Sequence, residues 1–514
     1  MSSAIPQHVI PRNEESFGEA GPRQPTLITS GQGVGFAAEC FARGFFARFG
    51  ILSLDKRGYV TTEVRQSGNT VRAMTTPQSP LAHFRAELYQ TFGLRRDAIH
   101  DLLDAVLTSD RATSLVRLSL APAFRRRWPS LFDALTDGTV DVAARRRLWV
   151  RSLPVPPSGT RVLWAIDGST WPRPEAKSSP ERTCCRFVTA GIPESGIMPG
   201  WEYQWLVSIP EAQGSWVLPL DVRRRSLDAG TPTAVAIAQL QAVLATRPYP
   251  RRRPVVVLDS HYDVPALVRA VPGIDLLARL ACNRRFSPAP PAATGTGRPR
   301  THGPVFRLKE PSTQTGPDRT QTAPDPDYGQ VTIDVWTRLH KETAADVAVT
   351  VLRVAVAHLP RRDTPPAPLW LVWHGESLPD DLREVWHWYQ RRFAIEHAFR
   401  FLKQDLGWTP ARPRSPHTAD RWSGLLASAL WELWLARPQI VDARLPWERV
   451  TEPTRLSPGR VRRGMAGLLA TLGTPARPPR VRGKAPGRRV GECPGRAPRY
   501  PTQRRAPPTP VSAP

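Results

Sequence analysis

The chain has 514 residues, enough for two or three domains and a substantial core. Its formal charge of +26 and pI near 11.1 set it apart from ordinary cytosolic enzymes and favour a polyanionic partner. No run approaches the roughly 18–20 apolar residues of a membrane span, and no charged segment leads into an apolar one at the start, so neither a span nor a secretory signal is expected. Arginine carries nearly all the positive charge, since only six lysines occur, and a GC-rich genome biases codons the same way. The five cysteines (Cys40, Cys184, Cys185, Cys282 and Cys493) show no zinc-type spacing. The adjacent pair at 184–185 reads as strand residues, and a reducing compartment follows.

Residues 1–73 differ from the rest: polar text surrounds a short apolar patch at 36–54. They are expected to be poorly ordered or over-called, with Met74 or a nearby codon as the true start, or else a genuine extra arm. Over 74–152, apolar residues recur at helical spacing (Phe84, Leu88, Phe92; Leu102, Leu103, Val106, Leu107; Phe132, Leu135) and predict four or five short helices. Arginine clusters at 95–96, 125–127 and 145–147 lie among them. A small helical DNA-binding domain fits this text. So does a helical cap on a catalytic core with a solvated basic face.

An α/β core is predicted over 153–283, resuming at 376–440. Strands are expected near 161–167, 202–209, 214–221, 254–259 and 275–281, with helices near 231–245 and 265–270. Two of these strands end in acids. Arg161-Val-Leu-Trp-Ala-Ile runs into Asp167-Gly-Ser, and Pro254-Val-Val-Val-Leu runs into Asp259-Ser-His-Tyr262. Ligands gather at strand carboxyl ends in α/β sheets, although an acid there is also an ordinary cap or turn residue. Residues 284–375 read as a β-rich insertion. Pro/Thr-rich loops at 287–304 and 311–327 precede strand-like runs at 331–339, 347–357 and 369–373. Pro379, Asp380 and Asp381 then supply helix-start signals, and a second helix is expected near 418–436. Residues 441–514 are expected to hold a C-terminal helical segment and then, from about Pro475, a stretch of Pro, Gly and Arg with almost no apolar content that forms a disordered basic tail.

The helix after the insertion carries the densest chemistry. At about 100° per residue, Tyr389 and Lys403 fall about 20° from Glu396, and Arg392 about 40°. One carboxylate thus shares a stripe with a phenol, a guanidinium and an ammonium, which suits a metal flanked by phosphates. A solvated face with an Arg–Glu pair would give the same stripe.

The order strand-Asp, strand-Asp, helix-Glu resembles the DDE transposases of bacterial insertion sequences. Tyr389, Arg392, Glu396 and Lys403 complete the Y-(2)-R-(3)-E-(6)-K signature of that group. The Asp-Gly-Ser at 167–169, the Asp-Ser-x-Tyr at 259–262 and Leu276-Leu-Ala-Arg-Leu280 also look like it. The resemblance covers about residues 75–500. It implies a ribonuclease H-like catalytic core with a β-rich insertion before the glutamate helix.

The resemblance further implies Mg²⁺-dependent phosphoryl transfer with two ions, for which Mn²⁺ would substitute. Two ions about 3.5–4 Å apart activate the attacking oxygen and neutralise the departing one. Asp167 would bridge both, while Asp259 and Glu396 would each hold one. Water would be the first nucleophile, and the freed 3′-hydroxyl would then attack target DNA. Tyr389, Arg392 and Lys403 would bind DNA phosphates rather than form a covalent intermediate. Where the second strand is cut through a hairpin, Trp336 or Trp373 would be the base-stacking platform; most of the seventeen tryptophans are core candidates. The expected partners are the element's terminal repeats, target DNA and a second copy of the chain, in the cytoplasm on the bacterial nucleoid. Two other functions share these residues: a catalytically silent DNA-binding derivative, and a metal-dependent nuclease of repair or recombination. Paired carboxylates also occur in glycosidases, but the charge of +26 and the Tyr/Arg/Lys stripe argue against that.

Overall fold

The computed structural model describes residues 79–110, 114–186, 196–246, 252–291, 300–360, 365–481, 487, 490–493 and 495–504, together with the backbone of three short strands. The chain divides into two compact units, Met1–Ser79 with Val188–Gly196, and Pro80–Phe187 with Ile197–Pro514. In the first unit, β1 (Leu52–Leu54), β2 (Val60–Gln66) and β3 (Asn69–Met74) form an antiparallel sheet in that order. Met74 is the last residue of β3. The remaining expectations for 1–73 lie outside the described residues.

The second unit opens with five helices: α1 (Pro80–Gln90), α2 (Arg96–Thr108), α3 (Leu115–Leu118), α4 (Trp128–Thr136) and α5 (Val142–Arg151). Local chemistry sets two of their starts. Ser114 caps α3 by accepting from the Arg117 N–H, and Asp141 caps α5 by accepting from the Ala144 N–H. A sheet and two further helices follow: β4 (Leu163–Pro172), β5 (Thr183–Arg186), β6 (Ile197–Ile209), β7 (Leu218–Arg224), α6 (Pro232–Leu244), β8 (Val255–Leu258), α7 (Val264–Ala270) and β9 (Asp275–Leu280). Beyond these lie β10 (Arg285–Phe286), β11 (Phe306–Arg307), β12 (Arg319–Asp325), β13 (Gly329–Lys341), β14 (Ala344–Val356) and β15 (Leu369–His374). The chain then gives α8 (Arg383–Arg391), α9 (Phe393–Gln404), α10 (Pro416–Ala436) and α11 (Pro458–Leu472). No helix among the described residues is long and apolar enough to cross a membrane.

Five strands in the order β7-β6-β4-β8-β9 form the central frame. β6 runs antiparallel to β4 and β7, whereas β4, β8 and β9 are parallel. With α6 before β8 and α7 before β9, this is the ribonuclease H-like layout expected from the sequence. The parallel strands are buried along most of their length and read as continuous Val/Leu runs, as two covered faces require.

The insertion is not a separate layer. β15 pairs antiparallel with β9, and β14, β13 and β12 continue outward, so the central sheet grows to ten strands. β12 falls inside the predicted loop 311–327. Its alternating exposure and its Pro324 suit an edge strand, where a missing N–H is harmless and no hydrophobic run advertises it.

Gly375, directly after β15, meets the start of β9. A Cβ there would lie 2.7 Å from the Asp275 Cβ and 2.4 Å from its Oδ1. Asp275 is fully buried, paired with Arg161 and with Arg253 (3.0 Å), so it has no room to retreat. Gly375→Ala is expected to cost about 1–3 kcal/mol by overpacking, read as a lower midpoint in thermal or urea unfolding.

The five N-terminal helices share a core with α10 and α11 in the same compact unit, as a cap on the central frame would. Several arginines that read as basic clusters are used internally. Arg125 and Arg126 both pair with the buried Asp101, Arg146 pairs with Asp221, and Arg145 is 5% exposed and lies 4.8 Å over the Trp149 ring. Arg117, Arg127 and Arg147 remain exposed.

Part of the expected disordered tail is also placed. The Gln503 N–H donates to the Arg182 carbonyl and the Cys184 N–H to the Gln503 carbonyl, so Gln503 bridges in parallel to Thr183 at the edge of β5. An open strand edge offers unpaired backbone groups whatever the incoming side chains, which composition cannot reveal.

Candidate active site

Asp167 lies in the middle of β4, not at its end as the apolar run suggested. The strand continues through Pro172 because Gly168 to Pro172 keep pairing with β6, down to Gly200. On the other side, the parallel ladder between β4 and β8 stops at Ala165 opposite Val257. Continued two residues, that register sets Asp259, just past β8, beside Asp167. The two acids therefore emerge where neighbouring parallel strands part, which is where open α/β sheets bind ligands.

Glu396 comes from α9. The predicted single helix is two: the Arg392 N–H donates to the Tyr389 carbonyl (3.1 Å) and the Ile395 N–H to the Arg392 carbonyl (3.0 Å), a tight three-residue pattern between α8 and α9. Tyr389, Arg392 and Glu396 still share one side of the turn. Phe399 anchors α9 to the sheet, with ring centroids 6.0 Å from Trp205 and 6.1 Å from Trp408. Trp408, itself fully buried, donates through Nε1 to Ser423 Oγ on α10 (2.8 Å).

One guanidinium joins two of the acids. Arg392 Nη1 donates to Asp167 Oδ2 and Nη2 to Glu396 Oε1, each at 2.9 Å. Burial pushes the Asp167 carboxyl up to about 6 against the pull of Arg392, with the Glu396 and Asp259 charges adding to the rise. Asp259 behaves oppositely. Burial raises it, but hydrogen bonds from His261 and the Ser260 N–H, together with Arg392, outweigh that and hold it well below the usual carboxylate range. Burial also raises the Tyr389 phenol, and it lowers the half-buried Lys403 ammonium against an opposing pull from Asp167. Of the Y-R-E-K stripe, Arg392 contacts Asp167 and Glu396, and its guanidinium carbon lies 5.8 Å from the Tyr389 ring centroid.

Three neighbours were not singled out from the sequence. His261 Nδ1 lies 3.4 Å from Asp259 Oδ2. The Tyr262 phenol is pushed well up by burial and by the charges of Asp167, Glu202 and Asp259. Glu202 on β6 lies opposite Thr170 of β4 and is paired with Arg225. The Asp-Ser-x-Tyr text carried the signal for Tyr262, whereas Glu202 becomes a neighbour only through the strand register. Trp336 and Trp373 are both core residues. Their indole N–H groups donate to the carbonyls of Thr315 (2.8 Å) and Glu376 (2.9 Å), and their rings pack on Trp370 and Trp388, so neither presents a face to a base.

The donor set is all carboxylate oxygen, the chemistry of hard divalent cations. Asp259 Oδ1 is buried with no hydrogen-bond partner, an uncompensated oxygen of the kind a cation satisfies. Among the described residues, no three acidic, histidine or cysteine side chains stand close enough to hold one ion as placed, and Arg392 already spans two of the three acids. The residues fit a divalent ion in chemistry, and the arginine sits where they would have to close.

A ribonuclease H-like sheet with acids beside each other past its parallel strands, and a third acid on a docked helix, is the frame of a DDE-type nuclease. Residues 87–341 match the family described as DDE superfamily endonuclease. That match includes Asp167 and Asp259 and ends before Glu396. The cryo-EM structure of a piggyBac transposase synaptic complex with hairpin DNA is similar at 9% identity and a TM-score of 0.38, over 77% of this chain and 80% of that one. No curated protein sequence matches the chain.

Proposed function

We propose that the chain is the transposase of an insertion sequence of bacteria: it binds the element's terminal inverted repeats, cleaves at the element ends and joins the freed 3′-hydroxyls to target DNA. The supporting observation is the convergence of Asp167, Asp259 and Glu396 around Arg392 in a DDE-family chain of charge +26. Asp167, Asp259 and Glu396 would hold Mg²⁺, or Mn²⁺ in its place, and two such ions activate the attacking oxygen and neutralise the leaving one. Lys403 and Tyr389 would meet backbone phosphates, and exposed arginines on the helical cap would add sequence-independent affinity. Two ends are cut together, so two copies would act on one DNA complex in the bacterial cytoplasm.

Incubating the purified chain with Mg²⁺ and DNA carrying the gene's own flanks tests this reading by mapping the nicks. Nicks at a pair of inverted repeats, each leaving a 3′-hydroxyl, are expected, and a chelator should abolish them. Nicks scattered without regard to the flanks would assign a repair or recombination nuclease. Tight end binding with no nick under any divalent ion would assign a catalytically silent derivative.

A further inference from the structure

A phosphate-binding arginine holds its fork toward solvent, whereas Arg392 is 5% exposed. Its two terminal nitrogens are spent on Asp167 and Glu396, and its Nε is buried without a partner. The guanidinium carbon lies 5.2 Å from the Phe393 ring centroid and 5.8 Å from that of Tyr389, so aromatic faces hold it in place. Three carboxylates brought near one another repel, and a buried cation among them relieves that repulsion. A divalent ion that takes Asp167 Oδ2 and Glu396 Oε1 must take oxygens the arginine now holds.

We infer that Arg392 is a built-in counter-ion that competes with the divalent metal for Asp167 and Glu396, and that a DNA phosphate drawing the guanidinium away opens the site to metal. The inference rests on the proposed reading of these acids as metal ligands. It gives a buried arginine a reason to stand next to a metal site, because it keeps the carboxylates charged and collected while no DNA is bound. It also couples the two ligands. If DNA displaces Arg392 and so tightens metal binding, metal must tighten DNA binding by the same factor.

The test is Mn²⁺ binding to the full-length chain without DNA, followed by the electron paramagnetic resonance signal of the free ion. Arg392→Gln is expected to bind at least about tenfold more tightly than the unaltered chain, since no charge-assisted contact has to be broken first. Lys403→Gln removes a cation on α9 that forms no ion pair with the acids, and is expected to gain no more than about threefold through screened long-range charge. Should Arg392→Gln fail to fold, Arg392→Lys serves instead: one ammonium cannot fork across two carboxylates, so Mn²⁺ binding still tightens. A short duplex should tighten Mn²⁺ binding to the unaltered chain beyond that of duplex alone, and not to Arg392→Gln. Equal or weaker Mn²⁺ binding by the arginine variants, with binding still lost in Asp167→Asn, would overturn the counter-ion role and leave the metal site standing. Mn²⁺ binding untouched by Asp167→Asn in every background would overturn the site reading itself.

Discussion

Asp167→Asn lowers DNA strand cleavage by at least about a thousandfold, the size of effect expected when several kcal/mol of transition-state charge stabilisation is lost. The substitution keeps the shape of the side chain and the hydrogen bond that Asp167 Oδ1 accepts from the Gly168 N–H (2.7 Å). β4 is held on both sides, so the backbone has no reason to move. What disappears is the negative charge, which the fold already disfavours: burial raises the carboxyl to about 6, above the ordinary value for an aspartate. A neutral amide therefore removes a desolvation cost while it loses the Arg392 ion pair. The melting temperature is expected to stay within about 2–4 °C, the shift that 1 kcal/mol produces in a sizeable domain. Asp259→Asn and Glu396→Gln should fall as far in single-turnover nicking of end-bearing DNA, with mobility-shift binding little changed. Full cleavage by any one of the three variants would remove that residue from the site.

The ribonuclease H-like frame was legible in the sequence, and the same patterns singled out the candidate acids. Asp167 and Asp259 stood out as candidates because each follows a β-branched or aromatic run that reads as a buried strand. Glu396 was legible because helical periodicity aligned it with Tyr389, Arg392 and Lys403. What periodicity could not supply was the distance between Arg392 and Asp167, which are 225 positions apart and meet only once α9 docks on the sheet. It also hid the break at Arg392, since the tight turn there keeps helical dihedrals and disturbs only which carbonyl each N–H reaches. Arginine clusters misled for a related reason. A guanidinium that pairs with Asp101 or stacks on Trp149 has the same letter in the sequence as one facing solvent, and burial is decided by distant partners. β12 was lost because an exposed edge strand lacks the hydrophobic run that marks a central one.

Arg85→Met destabilises the catalytic unit by about 3–5 kcal/mol, because it strands two buried carboxylates. Arg85 is 1% exposed on α1. It donates through Nη2 to Asp104 Oδ1 on α2 (2.8 Å) and through Nη1 to Glu432 Oε2 on α10, where Glu432 is fully buried. Burial pushes the Glu432 carboxyl up, with Arg85 opposing, and its Oε1 has no hydrogen-bond partner. With Arg85 gone, Glu432 can only protonate or draw in water, while Asp104 keeps a weaker contact at 3.5 Å with His100. The expected result is a fall of at least about 5 °C in the melting temperature measured by circular dichroism. Met fills most of the volume of the arginine stem, so the effect reports charge more than a cavity. Arg85→Met combined with Glu432→Leu separates the two: removing both charges should recover part of the loss, since an apolar replacement of a buried pair is often neutral or better. A single variant that melts with the unaltered chain would mean that α1 and α10 are held by their apolar faces alone. The cap would then owe its attachment to Phe84 packed on Trp431, whose ring centroids are 6.1 Å apart, and not to the ion triad.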